Sequence, residues 1–175
     1  MSKVTPLTKY LVLCVAVIGI VGCDRVSKRV ASEALSSMPT QSYLFDVVRL
    51  SYAENPGSFL SLGAKLRPSV RFALFTLGSG ALLSFLVVYA VRHRWSGLEL
   101  LGLAVLVAGG ASNWADRLTD GRVVDFLNIG VGPIRTGIFN VADIAVSAGV
   151  VILLFSEYSR RPMRRRAAEF DRRDR

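Results

Sequence analysis

The chain has 175 residues, 51% of them hydrophobic, which is too apolar for an ordinary soluble domain and fits a small multi-span membrane protein. Its net charge of +9 does not point to nucleic acid, because Arg160, Arg161, Arg164, Arg165, Arg166, Arg172, Arg173 and Arg175 crowd one end of the chain, next to an apolar run, and read as a cytoplasmic flank against anionic lipid. Two cysteines and one histidine argue against a disulfide framework, the usual zinc sites and a histidine-based triad, and no metal or cofactor is expected.

The first apolar run covers about 10–23, follows Lys3 and Lys9, and with borrowed flanks spans about 8–27. Its end, Ile20-Val21-Gly22-Cys23, resembles a secretory signal closing on a lipid-attachment cysteine. Three further spans with polar residues of their own favour a plainer reading of Cys23, a small buried residue at the end of span one. Arg25, Lys28 and Arg29 follow and need acidic partners or a functional role if they lie on the outer side. Asp24 and Lys28, four apart, share a helical face.

Residues 40–66 differ in character. Tyr43, Phe45, Val47, Val48, Leu50 and Tyr52 partly alternate, and Asn55-Pro56-Gly57-Ser58 forms a turn, so a small β-rich subdomain is expected between spans one and two. Span two is about 70–91, span three about 97–115 with Glu99 near its start, and span four about 137–157. Span three ends on Asn113-Trp114-Ala115-Asp116-Arg117, and Asp125 sits in a joining loop, 118–136, whose closed position is not fixed by sequence. The expected fold is a mainly α, four-helix membrane bundle, one domain over 1–156, with a basic tail over 157–175.

Basic residues orient the spans. Lys3 and Lys9, Arg92 and Arg94, and the arginine tail fall on one side if the chain crosses four times, which places both termini in the cytoplasm. Asn113, Asp116, Arg117, Asp125, Asn140 and Asp143 then share one depth near the outer membrane–water boundary. Asn140 and Asp143 are expected on one face of the fourth helix, with Asp143 roughly 10 Å below its start. A carboxylate in an apolar span is costly and marks function, and a second one, Asp125, brought alongside it suggests acid/base chemistry on a shared proton.

These residues together resemble signal peptidase II, the lipoprotein signal peptidase family, over roughly 10–156. Asp24-Arg-Val-Ser-Lys28 is similar to its motif after span one, and Asn55-Pro-Gly57 to its Asn-x-Gly motif. Asn113-Trp-Ala-Asp116-Arg117 is similar to its Asn-x-x-Asp-Arg motif. Gly121-Arg-Val-Val-Asp125-Phe126 and Phe139-Asn140-Val-Ala-Asp143 resemble its two catalytic-aspartate motifs. The chain departs from the family at Ser112, where glycine is usual, and at Ser58, Phe59 and Leu60, where two alanines and a phenylalanine are usual; these changes bear on pocket shape and inhibitor fit.

The resemblance implies a bacterial inner-membrane aspartic peptidase, working as a monomer near the outer leaflet, that removes signal peptides from diacylated prolipoproteins just before the lipid-modified cysteine. Its implied partners are those substrates and membrane lipid, with no nucleic acid. Asp125 and Asp143 become the catalytic pair. Asn55 and Gly57 become substrate contacts, and Asn113 and Asn140 hydrogen-bond the substrate backbone or the pair. Asp116 and Arg117 are expected as an ion pair, and Asp24 with Lys28 either lines the site or forms a local pair. Two other readings stand beside this one. A proton-coupled carrier would use Asp143 as a relay. A serine–lysine peptidase would use Lys28 with Ser51, Ser58 or Ser61.

Overall fold

A computed structural model describes residues 6–57, 63–95 and 97–173. Helix α1 (Pro6–Leu35) leads into a hairpin of β1 (Gln41–Tyr43) and β2 (Val48–Asn55). The second membrane helix starts as α2 (Pro68–Arg71), passes through a π-helical stretch (Phe72–Gly78) and continues as α3 (Ser79–Arg92). Helix α4 (Leu98–Asp120), strands β3 (Val123–Val131) and β4 (Ile134–Arg135), and helix α5 (Val141–Arg173) complete the chain. Among the described residues, four helical segments are long and apolar enough to cross a membrane: Tyr10–Leu35, Pro68–Arg92, Leu98–Asp120 and Val141–Arg160.

Helix α4 is the centre of the bundle. It packs most extensively on α5, then on α1 and α3. The α4–α5 seam is built from small residues, which let two backbones approach closely where no hydrophobic effect drives helices together. Ala108, Ala142 and Ala145 are buried there. Gly149 fits so tightly that a Cβ would lie 2.6 Å from the backbone nitrogen of Leu106 and 2.7 Å from the carbonyl oxygen of Gly102. Large apolar side chains such as Leu11, Val15, Ile18, Val151 and Leu154 point outward instead. In the π-helical stretch the widened turn frees carbonyls: Phe75 accepts from Ser79 Oγ at 2.5 Å, and Thr76 accepts from the Trp114 indole at 2.9 Å, tying span two to α4.

The sheet order is β1-β2-β3-β4, all antiparallel. The β-rich segment expected after span one therefore forms, but half of the sheet comes from residues placed in the loop 118–136. Val123, Val124, Phe126, Leu127, Ile129 and Val131 form β3, and β3 pairs with β2 across some seventy residues of chain. Three further expectations change. Helix α1 runs beyond residue 27 to Leu35, so Cys23 lies within the helix, and its side chain is exposed on the outer face rather than buried. Helix α5 starts at Val141, not 137, because Phe139 is held in an extended bridge to Leu127. It then continues past the apolar run to Arg173.

Substituting Gly149→Ala is expected to push α4 and α5 apart and to lower stability by about 1–3 kcal/mol, the usual cost of overpacking. Gly22→Ala, with nothing within 4 Å, should not lower it. Thermal unfolding followed by circular dichroism in one detergent compares the two.

Candidate active site

The site is assembled around the first turn of α5. Asn140 is its N-cap rather than a residue inside the helix. Its Oδ1 accepts from the backbone N–H of Asp143 at 3.0 Å, and its own N–H donates to Asp143 Oδ2 at 3.1 Å. This is a reciprocal capping box, with Asp143 at the third helical position, and Asp143 is therefore one turn into the helix instead of roughly 10 Å down it. The preceding donor of that turn, the buried N–H of Ala142, is taken by Asp24 Oδ1 at 2.8 Å.

Asp125 reaches the same place from the sheet. It pairs with Ala53 in β2, just past a register shift between Leu50 and Ala53 that adds a residue to β2. Such a bulge turns a strand and re-aims its side chains. Asp125 Oδ1 accepts from Asn140 Nδ2 at 2.6 Å and Oδ2 from Asn55 Nδ2 at 2.9 Å. Asp143 Oδ1 accepts from Asn113 Nδ2 at 2.9 Å. Asn140 thus touches both carboxylates, one through its side chain and one through its backbone.

Behind these amides lies a charged cluster. Lys28 Nζ donates to Asp116 Oδ2 at 2.6 Å and Asn113 Oδ1 at 2.8 Å, and pairs with Asp24 Oδ2 at 2.7 Å. Arg25 Nη1 reaches Asp116 Oδ1 at 2.6 Å. All three ammonium protons of Lys28 have acceptors, Asn113, Asp116 and Asp24, which leaves it unsuited to act as a base for a serine. Ser51 instead accepts from Thr40 in the sheet. Ser58, Phe59, Leu60 and Ser61 lie outside the described residues.

The expected Asp116–Arg117 ion pair does not form. Asp116 faces Arg25 and Lys28, while Arg117 donates through Nε and Nη2 to the Gly57 carbonyl at 3.2 and 3.0 Å. Both arrangements follow from helix geometry, since neighbours in sequence point some 100° apart around α4. Gly57 N–H in turn donates to Asn55 Oδ1 at 3.0 Å, so Arg117 and Asn55 together fix the turn after β2. Asp24 and Lys28 support the amides from behind instead of facing the open side of the site. The three cations that conflicted with an outer location are met locally, Arg25 and Lys28 as above and Arg29 by Glu33 at 3.0 Å; Arg122, just after α4, pairs with Glu54 at 3.0 Å.

Ser112 carries a role that its sequence position flagged only as a departure. Its buried hydroxyl donates to Asp24 Oδ2 at 2.7 Å, a bond glycine would not supply. Arg135 was not anticipated at all, and it borders the open cavity of about 540 Å³ beside the two aspartates. The cavity runs from Asn55, Arg117 and Asp125 past Asp143 and down the α5 face of Ile144, Ala148 and Val151. Among the described residues, no three of His, Cys, Asp and Glu gather as a metal-binding group. Two carboxylates on one open cavity, each with both oxygens oriented by donors, can exchange a proton with water and with a bound carbonyl.

Burial pushes the Asp125 carboxyl up to about 6, the nearby Asp143 carboxylate adds to the rise, and the Asn55 and Asn140 donors oppose it. A raised carboxyl pKa means that the folded protein holds a proton which the unfolded chain has released. The resulting stabilisation is complete below the ordinary value of 3.8 and is lost as pH rises through about 6. Wild type should therefore lose stability relative to Asp125→Asn between about pH 4 and about pH 6 and run parallel to it above that. Thermal midpoints of both proteins across that range check this, and a pH-independent difference would contradict the assignment.

A family model described as signal peptidase (SPase) II matches residues 16–159. A lipoprotein signal peptidase of Sphingopyxis alaskensis is 32% identical over 133 residues, covering 75% of this chain and 76% of the relative. One from Streptococcus pneumoniae is 29% identical over 153 residues, covering 85% of this chain and 93% of the relative. A bacterial membrane enzyme solved by the in meso method at 2.3 Å resolution superposes with a TM-score of 0.74 at 20% identity, over 85% of this chain and 88% of the other, a likeness of fold.

Proposed function

The chain belongs to the signal peptidase II family, and from that premise we propose that it hydrolyses prolipoproteins by a two-aspartate mechanism, cutting before a diacylglyceryl-modified cysteine. The peptidase activity and the lipoprotein signal peptide as its target follow from the family; the pair and the cut position are our reading. One observation carries it. Asp125 from the sheet and Asp143 from the first turn of α5 are both oriented by Asn140 and open onto one cavity.

In this reading the scissile carbonyl enters beside the two carboxylates, with a water between them. The ionised member takes a proton from the water as its oxygen attacks the carbonyl carbon. The protonated member gives its proton to the carbonyl oxygen. Collapse of the tetrahedral intermediate, with a proton delivered to the leaving amine, breaks the peptide bond and restores a singly protonated pair. The pair titrates as a unit, so the roles belong to the pair rather than to either residue. Asn55, Asn113 and Asn140 hold the carboxylates in place, and Arg117 with Gly57 shapes the turn beside them.

We place both termini in the cytoplasm and the site near the outer boundary of the bilayer. The arginine-rich end of the chain and the local neutralisation of Arg25, Lys28, Arg29 and Arg122 support this. A carrier is less well supported. Between Asp143 and Ser156, the buried residues of α5 are Ala145 and Gly149, which offer no polar relay toward the other side.

Asp125→Asn and Asp143→Asn are each expected to abolish cleavage of a synthetic diacylated prolipoprotein nearly as completely as the double variant, because the pair acts as one unit. Retention of more than about a tenth of wild-type turnover by either would remove that residue from the pair. Beyond the aspartates the cavity continues along an apolar stretch of α5, past Ile144, Ala148 and Val151, so binding should draw on the acyl chains at about 0.8 kcal/mol per buried methylene. Diacylated precursor should therefore be cut much faster than unmodified precursor at equal concentration in one detergent, and equal rates would indicate a general membrane aspartic peptidase.

A further inference from the structure

The cavity wall formed by α5 carries one polar group that the two-aspartate chemistry leaves unused. Asp143, Ser147 and Val151 follow one another at four-residue intervals, with Ile144 and Ala148 in the row beside them, so one face of the helix lines the cavity. Ala145 and Gly149 point the other way, into the seam with α4. Beyond Asp143 this wall is apolar except for exposed Ser147, one turn farther along the helix, a rise of about 6 Å.

The Ser147 hydroxyl differs from the other polar side chains of the cavity. Asn55 donates to Asp125 and Arg117 to the Gly57 carbonyl, while Asp125 and Asp143 accept from asparagine amides. Arg135 donates to Asn128 and to the Asp46 carbonyl, and Thr136 Oγ1 accepts from the Ile129 N–H. Ser147 makes no hydrogen bond among the described residues. Nor does its hydroxyl turn back onto its own helix, as those of Ser32, Ser79, Ser84 and Ser159 do by donating to a carbonyl four residues earlier. Its donor is open to whatever fills the cavity. An acyl chain lying along Ile144, Ala148 and Val151 would displace water from it, and an unpaired hydroxyl there is costly.

The order of groups along the wall selects the partner. In the reading given above, the scissile carbonyl lies beside Asp125 and Asp143 and the acyl chains lie on the apolar stretch. The part of the substrate between them is the cysteine side chain with its glyceryl unit. That unit carries ester carbonyls, which accept hydrogen bonds and cannot donate them. The nearer ester is several bonds beyond the cysteine Sγ, a reach that covers one helical turn. Ester carbonyls mark the junction between the polar and apolar parts of the substrate, as Ser147 does between Asp143 and Val151 on the wall.

We propose that Ser147 donates to an ester carbonyl of the diacylglyceryl group and so makes this chain selective for ester-linked lipid on the substrate cysteine. The contact rests on the lipid-dependent function proposed above. The test assays the purified full chain in one detergent on two synthetic precursors. They share peptide and hydrocarbon length and differ only at the glyceryl oxygens: one is a diacyl ester, the other a dialkyl ether without carbonyls. Wild type should cut the ester with a kcat/KM roughly tenfold above the ether, the worth of one neutral hydrogen bond. Ser147→Ala should lose that factor on the ester and stay within about twofold of wild type on the ether, as a pairwise contact requires. Equal loss on both substrates, or no loss on either, would overturn the proposal, because a hydroxyl that supports the helix or touches the peptide does not distinguish the two lipids. Wild type that leaves both precursors uncut would overturn the function itself and the contact with it. Wild type that cuts the ester while Ser147→Ala fails the comparison would remove the contact alone.

Discussion

The first turn of α5 begins inside the protein, and its backbone N–H groups must find acceptors there. Asn140 and Asp24 supply them, and most of the site follows from that requirement. Asn140 can cap the helix through Oδ1 only with its amide nitrogen turned the other way, which points it at Asp125. The capping box draws one oxygen of Asp143 back to the Asn140 N–H and leaves the other for Asn113. A structural need at a helix end thereby orients both carboxylates. Among the described residues no buried side-chain nitrogen or oxygen lacks a partner, as a buried polar network requires if it is not to destabilise the fold.

The charged cluster behind the amides settles a second orientation. Asn113 Oδ1 receives both the Lys28 ammonium and the Asn140 amide, so its own nitrogen must face Asp143. Reversing that side chain would set an NH2 group against two donors. Lys28 therefore acts on the site through Asn113. The cluster itself holds two cations, Arg25 and Lys28, and two anions, Asp24 and Asp116. Removing Asp24, Lys28 or Asp116, the buried members, is costly because it strands the opposite charge. In the topology proposed above, the same pairing lets cations follow span one on the side where they are usually rare.

The spans, and the gathering of Asn113, Asp125, Asn140 and Asp143 into one hydrogen-bonded network, were legible because each has a local signature: an apolar run or a short motif. The second half of the sheet was not. Val123 to Val131 carries β-branched and aromatic residues enough for a strand, but its partner is β2, far away in sequence, and pairing of that kind leaves no local trace. The start of α5 had a readable signal, an asparagine followed three residues later by an acid, which outranks the apolar residues Ile138 and Phe139 just before it. Asp116 and Arg117 are adjacent in sequence and opposite in charge, yet helical geometry sends them to different partners. Cys23 was expected to be buried at the end of span one; it lies on a face of α1 turned away from the bundle, and the local sequence does not say which face of that helix packs.

The two catalytic candidates belong to parts of the fold with different mechanical standing. Asp143 is fixed to the tightest interface in the molecule, the glycine-rich seam of α4 and α5. Asp125 rides on a small sheet that touches the bundle through few elements. The contacts that dock this strand at the site are specific ones: Asn140 to Asp125, Arg117 to the turn after Asn55, and the backbone bridge between Leu127 and Phe139. The separation of the carboxylates is therefore set by how the sheet seats on the helices, not by either element alone. Changes in the β2 bulge or the Gly57 turn can therefore alter the spacing of the two carboxylates while leaving all four spans folded.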